Sequence, residues 1–440
     1  MNNAKEFSGI KFDGIQILRA ISALMVALYH IDFIYNLKIN TAIGVDIFFV
    51  ISGFIIMYTT QSNLDNYAKK RIIKIVPLYW ILTILTFGAA YIVDGIVPYR
   101  PNGIELLKSL FFIPYSRDAI RAIDVTRPIV GPAHTLLNEM FFYLVFWISA
   151  KINHKKRGQI TCGILMILIL IGNFFDVSAY ATLRVWTSIR MIDFIIGIIL
   201  FYIAKKLFEY NSFNMTKNIA VSKILIALGI ISFMVVFTKI NPIIRAILSG
   251  IVVLFFLTAF FKSLKAPNVL LRIGNISYSF YLIHYYVILV FKKFVNPMNE
   301  INIISILCAC LAIIISLVIA NFAYEIIEVK FAHYLKDKWI NKKKNEYICL
   351  LSQTPPQCGM KEAEIQYTSW GKPNSIVPLE DSWLKWENQR MNIRHKIYTW
   401  YGKTWDGRLK PIKQIWTHYS PEGEGFILTV HEGEDLINVQ

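Results

Sequence analysis

Long apolar runs separated by short polar segments dominate about the first 340 residues of the chain. Each run holds about 17 to 22 residues, close to the number that a helix needs to cross the hydrocarbon of a bilayer. The pattern therefore predicts an all-α polytopic membrane protein with about ten transmembrane helices. The predicted spans are 14–35, 43–60, 75–93, 133–150, 159–175, 188–204, 223–238, 243–261, 275–292 and 302–323.

Three stretches depart from this pattern. The apolar patch 104–113 is too short to span, and we predict a re-entrant or interfacial piece there. A basic amphipathic stretch, 329–344, ends the membrane part. Residues 346–440 hold six of the ten tryptophans and alternate in polarity at 396–401 and 426–431. This predicts a small soluble C-terminal segment, β-rich or α+β.

The amino-acid composition and the distribution of charge also indicate a membrane protein. The chain is 55% hydrophobic and 17% charged, whereas a soluble domain carries roughly 25% charged residues. The net charge of +17 could indicate a nucleic-acid partner. Because Lys and Arg concentrate in the short loops, we predict no such partner and a positive-inside arrangement instead. These residues are roughly twice as frequent on the side that holds the N-terminus, which predicts cytoplasmic N- and C-termini.

Processing and metal binding add little to this picture. The first apolar run has no small-residue cleavage site after it, so a retained helix is expected rather than a signal peptide. The five cysteines show no metal-ligand or redox spacing, and the sequence predicts no metal site.

The first predicted helix carries two ionisable residues, Arg19 and His30. Such side chains are costly inside a bilayer and indicate function by default. They are eleven positions apart, which is about three turns with about 20° left over, so both lie on one stripe about 16 Å apart along the axis. We expect Arg19 in the cytoplasmic half and His30 near the outer end.

Counting along the other helices brings four more groups to the level of His30. They are Asp46, Glu139, Arg190 and Asp193. For Asp46, Arg190 and Asp193 a structural role as interfacial or paired charges stays open. His30 with Glu139 is favoured as a functional pair, because a histidine beside a carboxylate is a common general-base arrangement.

A basic loop lies at the cytoplasmic mouth of the third predicted span. It contains Lys69, Lys70, Arg71 and Lys74. These cations could serve only to orient the protein in the membrane. They could also bind the phosphates of an anionic cytoplasmic ligand, and periodicity does not separate the two alternatives.

Five motifs along this chain resemble those of the membrane-bound acyltransferase 3 family. Arg19 and His30 match the R-x10-H pattern of that family's opening helix, and the order and spacing of the other motifs also fit. The third motif looks most like the bacterial exopolysaccharide-production acyltransferases. The motifs lie at 14–30, 44–54, 132–143, 190–197 and 274–284.

The resemblance implies a bacterial inner (cytoplasmic) membrane enzyme of the multi-pass type. It would transfer an acyl group, expected to be acetyl, from cytoplasmic acyl-CoA to a hydroxyl of a polysaccharide or glycolipid at the cell surface or for export. No permanently bound cofactor is implied; acyl-CoA, a glycan acceptor and the lipid bilayer are the expected partners. The resemblance covers residues 10–335, the predicted membrane acyltransferase domain, and leaves 346–440 as a segment without an assigned function.

Residue roles follow from position in the motifs. His30 would be the catalytic base, with Arg19 as its motif partner, and we infer that Glu139 orients or tunes the histidine. Arg71, Lys74 and Lys70 would bind the donor. The expected acceptor-binding residues are Asp46, Arg190, Asp193 and His284.

Three positions depart from the family pattern. Lys74 replaces the second arginine of R-x-x-R, which keeps the charge and loses the bidentate fork. His134 stands where an aromatic residue is usual, and Lys330 replaces the proline of a late Glu-x-Pro whose acid is Glu328.

Two alternatives compete with the transferase. A carrier or flippase for a glycan intermediate would also suit ten helices and a charged stripe, although no internal repeat is evident. In the other alternative, a degenerate family member would work through its C-terminal segment as a binding module; the intact His30 argues against it.

Overall fold

The structure is a computed structural model with side chains. It describes residues 11–31, 42–61, 64, 66–93, 99–116, 127–177, 179–209, 219–235, 241–260, 266–294, 303–340, 360–361, 365, 368, 373, 375–378, 395–403, 409–419 and 425–432. The chain divides into two compact units, Met1–Leu335 and Lys336–Gln440.

The first part of the chain is almost entirely helical. Its helices are α1 (Asp13–Tyr29), α2 (Ala42–Thr59), α3 (Tyr67–Ile92), α4 (Gly103–Leu110), α5 (His134–Ile152), α6 (Arg157–Phe174), α7 (Ala181–Trp186), α8 (Met191–Glu209), α9 (Ile219–Val235), α10 (Pro242–Ala259), α11 (Asn268–Asn275), α12 (Ser277–Phe294) and α13 (Ile303–Ala323). A 3₁₀ turn, Gly131–Ala133, leads into α5. After α13 come a π-helical stretch, Tyr324–Phe331, and α14 (Ala332–Trp339).

A helix underlies each of the ten predicted spans. Among the described residues, five helical segments are long and apolar enough to cross a membrane, or six if the pair α11–α12, bent by 77°, is one span. The prediction of a mostly helical chain with several membrane-length helices is thereby confirmed. The five segments are Tyr67–Ile92, Gly131–Ile152, Arg157–Phe174, Pro242–Ala259 and Ile303–Trp339.

Helix α13 shows which solvent this part of the chain faces. Its large apolar side chains point outward, with Ile303 and Leu307 74% and 62% exposed. Its buried positions are small residues, among them Ala312 and Ser316. A helix in water has the opposite arrangement, whereas small residues at helix contacts and large ones outside are typical of a helix in lipid.

Helices α2 and α8 cross at two glycines, Gly53 and Gly197. A Cβ atom on Gly197 would overlap the carbonyl oxygen of Val50 and lie 2.9 Å from the Gly53 Cα atom. The absence of both side chains therefore lets the two backbones touch. Stacked rings of Phe49 and Phe194, with centroids 4.5 Å apart, lie in the same interface.

The start of helix α3 differs from the predicted pattern. Helix α3 begins at Tyr67 rather than at residue 75, so Arg71 and Lys74 lie on its first turns rather than in a loop. The apolar patch 104–113 contains the short helix α4. Its start is fixed by a reciprocal capping box in which Asn102 accepts from the Glu105 backbone at 2.9 Å and the Glu105 carboxylate accepts from the Asn102 backbone at 2.8 Å.

The C-terminal unit contains an antiparallel sheet of four strands in the order β1-β2-β3-β4. The strands are β1 (Ser375–Pro378), β2 (His395–Lys403), β3 (Leu409–Tyr419) and β4 (Gly425–Glu432). The strands predicted at 396–401 and 426–431 are present as parts of β2 and β4.

Candidate functional site

A cavity of about 300 Å³ lies inside the helical unit. Five helices line it: α1, α2, α3, α5 and α12. Apolar side chains form most of the wall, and a few charged and polar groups converge on one region of it, which is the usual make-up of a small-molecule site. The lining residues are Ile15, Gln16, Arg19, Val45, Phe48, Phe49, Ile51, Ser52, Ile55, Arg71, Lys74, Ile75, Thr135, Leu136, Glu139, Tyr143, Ser277, Tyr278 and Tyr281.

Three cations face this cavity: Arg19, Arg71 and Lys74. Arg19 donates a hydrogen bond to Gln16 at 3.3 Å. The Arg71 guanidinium lies 4.9 Å from the centre of the Tyr143 ring, within cation–π distance. Three positive groups around one small space create a strong attraction for an anion.

Glu139 lies at the same wall. Its carboxylate accepts a hydrogen bond from Ser52 Oγ at 2.9 Å and another from Tyr143 Oη at 2.5 Å. It is close enough to Arg19 and Arg71 to interact with both charges. The structure therefore places Glu139 among the cations of the cavity, and its neighbours differ from those of His30.

A second carboxylate, Glu328, approaches the cations from the π-helical stretch. It accepts a hydrogen bond from Ser279 on α12 and interacts electrostatically with Lys74 and Arg19. A π-helical turn displaces side chains from the α-helical register and is frequent at functional sites. Glu328 therefore lies within electrostatic reach of two of the cavity's cations.

A histidine at the end of α1 lies beside a histidine in the middle of α12. His30 is the residue that ends α1, and its ring centroid is 5.3 Å from that of His284. The rings of Tyr29 and Tyr285 also flank it, each at 5.2 Å. His30 is half-buried, while His284 is 0% exposed.

Tyr281 links the cavity to this histidine pair. It lines the cavity, and its ring centroid is 6.0 Å from that of His284, one turn further along α12. Its hydroxyl donates to the Pro132 carbonyl oxygen and lies 2.6 Å from Thr135 Oγ1. Helix α12 thus lines the cavity that Arg19 faces and also carries the histidine that lies beside His30.

The predicted acceptor-binding residues Asp46, Arg190 and Asp193 also come together. Asp46 and Asp193 are 1% and 2% exposed, and Arg190 Nη1 lies 3.9 Å from Asp46 Oδ1. Arg245 on α10 forms a closer ion pair with Asp46. Burial of two carboxylates beside two guanidinium groups is expected, since an unpaired charge in this environment is costly. These residues do not line the cavity.

Lys70 and His134 take different positions. Lys70 is exposed and is not part of the cavity wall. His134 Nδ1 lies 3.2 Å from the Gly131 carbonyl oxygen, and the ring is close enough to His30 and Arg190 to interact with their charges. Within the described part of the chain, no group of three or more His, Cys, Asp or Glu side chains could hold a metal ion.

Sequence reasoning overlooked three contributors to these clusters. Arg245 and Glu328 are ionisable residues in apolar helices, and that signal alone could have identified both. Tyr143 lay inside a recognised motif without a role. Its hydrogen bond to Glu139, four residues earlier on α5, agrees with helical spacing. Its contact with Arg71 depends on the packing of α5 near α3, which no sequence pattern indicates.

Comparison with known proteins gives a family. The model described as "Acyltransferase domain" matches residues 12–321. The exopolysaccharide production protein ExoZ of Rhizobium meliloti (strain 1021) is 31% identical over 166 residues, which are 36% of this chain and 50% of that protein. The O-acetyltransferase OatA of Staphylococcus aureus (strain MRSA252) is 24% identical over 382 residues, 78% of this chain and 61% of that protein.

The chain thus spans between half and two thirds of the length of these two relatives. No solved structure matches it.

Proposed function

Because this chain belongs to the acyltransferase family that the matching model describes, we propose that it is an integral membrane O-acyltransferase. The group it transfers is an acyl group, proposed to be acetyl. The donor is acyl-CoA, and the acceptor is a hydroxyl of a cell-surface or exported polysaccharide or glycolipid. The family expected from the five sequence motifs is confirmed. Similarity to proteins named for exopolysaccharide production and O-acetylation supports the proposed acceptor and acyl group.

The observation that carries the proposal is a cavity lined by three cations, which lies near His30 in the helix bundle. The cavity supplies a place for an anionic donor, and the histidine supplies a base. Tyr281 at the cavity wall packs against His284, and His284 in turn packs against His30. A carrier needs no base held at a fixed distance from an anion site.

In this proposal the donor enters at Arg71 and Lys74, near the start of α3. These side chains and Arg19 bind the phosphates and the polar part of the CoA arm. A cavity of about 300 Å³ is at the lower limit for small-molecule sites, so it holds only part of the donor. The thioester carbonyl then points toward His30.

The reaction balances without a further reactant. His30 takes the proton of the acceptor hydroxyl as that oxygen attacks the thioester carbonyl. The new C–O bond forms, the C–S bond breaks, and the proton passes from His30 to the departing sulfur. The products are an O-acyl ester and free CoA.

Glu139 acts in this scheme on the cations and not on His30. Its hydrogen bonds to Ser52 and Tyr143 hold it at the cavity wall. There it balances the charge of Arg19 and Arg71 while no donor is bound. This revises the sequence-based role of Glu139 as a partner of the histidine.

We place the protein in the bacterial inner membrane with about ten crossings. Both ends of the membrane domain, taken as residues 10–335, are cytoplasmic in this arrangement. Donor and acceptor then meet from opposite sides, with Arg71 on the cytoplasmic side and His30 on the outer side. The C-terminal segment is cytoplasmic as well.

Comparing surface glycan from a deletion strain and its complemented parent tests the proposal. Ester-linked acyl groups are measured by NMR or mass spectrometry before and after mild base. Loss of a base-labile substituent from otherwise unchanged chains is the expected result. Unchanged decoration with less polymer at the surface would support the carrier and reject the transferase.

Arg71→Ala should raise the acetyl-CoA concentration needed for half-maximal rate by roughly tenfold, because one charge-assisted contact is worth about 1.5 kcal/mol. The maximal rate should change little, since Arg71 lies at the cavity wall and not beside His30. Release of free thiol from acetyl-CoA by the purified protein with isolated glycan measures both quantities.

Lys156→Ala is the matched control, because Lys156 is an exposed cation in the turn before α6. It should leave the half-saturating donor concentration unchanged. Equal effects of the two substitutions would mean that general positive charge, and not the cavity, attracts the donor.

A further inference from the structure

His284 is buried among aromatic rings, and within the described part of the chain its ring makes one hydrogen bond. Its side chain is 0% exposed, and the rings of Phe280 and Tyr281 pack against it with centroids 5.7 Å and 6.0 Å away. A polar ring in such a place normally satisfies both of its nitrogens. The position therefore needs an explanation beyond packing.

The tautomer of His284 follows from its one hydrogen bond. Its Nδ1 atom lies 3.0 Å from the Phe280 carbonyl oxygen, which can only accept. Nδ1 therefore carries a proton, and in the neutral ring Nε2 has a free lone pair. Burial favours the neutral ring, because a charged one would lose its hydration.

The Nε2 atom is left without a donor. Among the residues that the structure describes, no group hydrogen-bonds to it, although it is buried. A buried acceptor without a partner costs about 1–3 kcal/mol. A retained cost of this size indicates that a donor arrives during function.

His30 is at the distance at which it can become that donor. The centroids of the two rings are 5.3 Å apart. Two imidazoles joined by a linear N–H···N bond of about 2.9 Å have centroids about 5.1 Å apart, since each nitrogen lies about 1.1 Å from its ring centre. The ring of His30 needs only to turn, because the spacing is already right.

We propose that His284 is the positioning residue for His30: its Nε2 atom accepts the N–H of His30 and leaves the other ring nitrogen of His30 as the base. The role is the one that a carboxylate or carbonyl takes beside many catalytic histidines. When the acceptor proton arrives on His30, this bond becomes charge-assisted and stronger. His284 thereby favours the transition state without being charged itself.

This inference rests on the proposed function, since it assigns a role within that reaction. It also changes the sequence-based role of His284. The ring lies one turn beyond the cavity-lining Tyr281 and is fully buried, so it reaches an acceptor only through His30.

Three substitutions of His284 test the inference by what each places at the Nε2 position. Gln can present its carbonyl oxygen there, Asn is too short to reach it, and Phe fills the space without an acceptor. His284→Phe and His284→Asn should lower the turnover rate roughly 100-fold, within the range for general-base assistance. His284→Gln should recover the rate to within about tenfold of the parent, and the half-saturating acetyl-CoA concentration should stay unchanged in all three.

The assay is thiol release from acetyl-CoA, with glycan isolated from the deletion strain as acceptor. Tyr286→Phe is the control, because it removes a 2.7 Å hydrogen bond to Thr86 from the same helix without facing His30. Its rate should match that of the parent protein.

Two results would overturn the inference. One is equal activity of His284→Asn and His284→Gln, and the other is full activity of His284→Phe while His30→Ala is inactive. Activity that survives in His30→Ala would reject the proposed function itself, so the two failures are distinguishable.

Discussion

The His30→Ala variant should leave the surface glycan without ester-linked acyl groups, while the protein is inserted and accumulates as the parent does. Loss of a general base lowers a rate by roughly 10²–10⁴-fold, which is below detection for glycan decoration in growing cells. The fold should tolerate the change because His30 ends α1 and is half-buried. Its backbone N–H donates to the Ala27 carbonyl oxygen, a bond that does not involve the ring.

Mass spectrometry of the glycan before and after mild base is the measurement. His154→Ala is a matched control, since His154 lies in the turn between α5 and α6, away from the cavity wall. It should retain full acylation. Glycan that is still fully acylated with His30→Ala would show that the base is another residue.

The Gly197→Val variant should fail to accumulate as a folded protein. The new Cβ atom would overlap the Val50 carbonyl oxygen, which is backbone and cannot rotate away. Helices α2 and α8 would have to separate, and α2 carries Ser52, the hydrogen-bond partner of Glu139. Overpacking of this kind costs about 3 kcal/mol or more. Size-exclusion chromatography of the protein in mild detergent measures the folded fraction.

Gly163→Val provides the comparison, because nothing lies within 4 Å of a Cβ atom at Gly163 on α6. Both variants put the same β-branched residue inside an apolar helix, so helix propensity affects them equally. Normal yield with Gly163→Val and loss with Gly197→Val is the expected result. Equal yields would mean that α2 and α8 do not depend on this close crossing.

Most of the helices were predictable because lipid imposes a simple rule on the sequence. A segment in hydrocarbon must satisfy its own backbone, and apolar length alone then indicates a helix. Charged residues obscured the rule at α3, whose first turns carry Arg71 and Lys74 and so resembled a loop. They are helical because the cavity, and not lipid, surrounds their side chains.

The composition of the candidate site was predictable, but its pairings were not. Counting residues along a helix gives the depth of a side chain, so Glu139 was expected near the level of His30. Direction around the axis depends on neighbouring helices, and the packing of α5 against α2 brings Glu139 to Ser52. For the same reason the contact between His30 and His284 had no signal in the sequence.

Glu328 illustrates a further limit. Helical periodicity assumes 3.6 residues per turn, whereas Tyr324–Phe331 is π-helical. Positions within and beyond such a stretch face directions that the α-helical pattern does not predict. The contact of Glu328 with Ser279 on α12 therefore follows from the local winding and not from spacing.

The π-helical stretch also determines which mutations this part of the chain can accept over evolution. A π-helical turn holds more residues than an α-helical one, so a residue can be lost from it without breaking the helix. A deletion between Tyr324 and Glu328 would turn the acid by about 100° relative to α13. The apolar span would persist in a descendant of this kind, while the cations of the cavity would lose their neighbour. A change in length here, more than a substitution, would therefore keep the apolar helix while removing the acid that balances the cations.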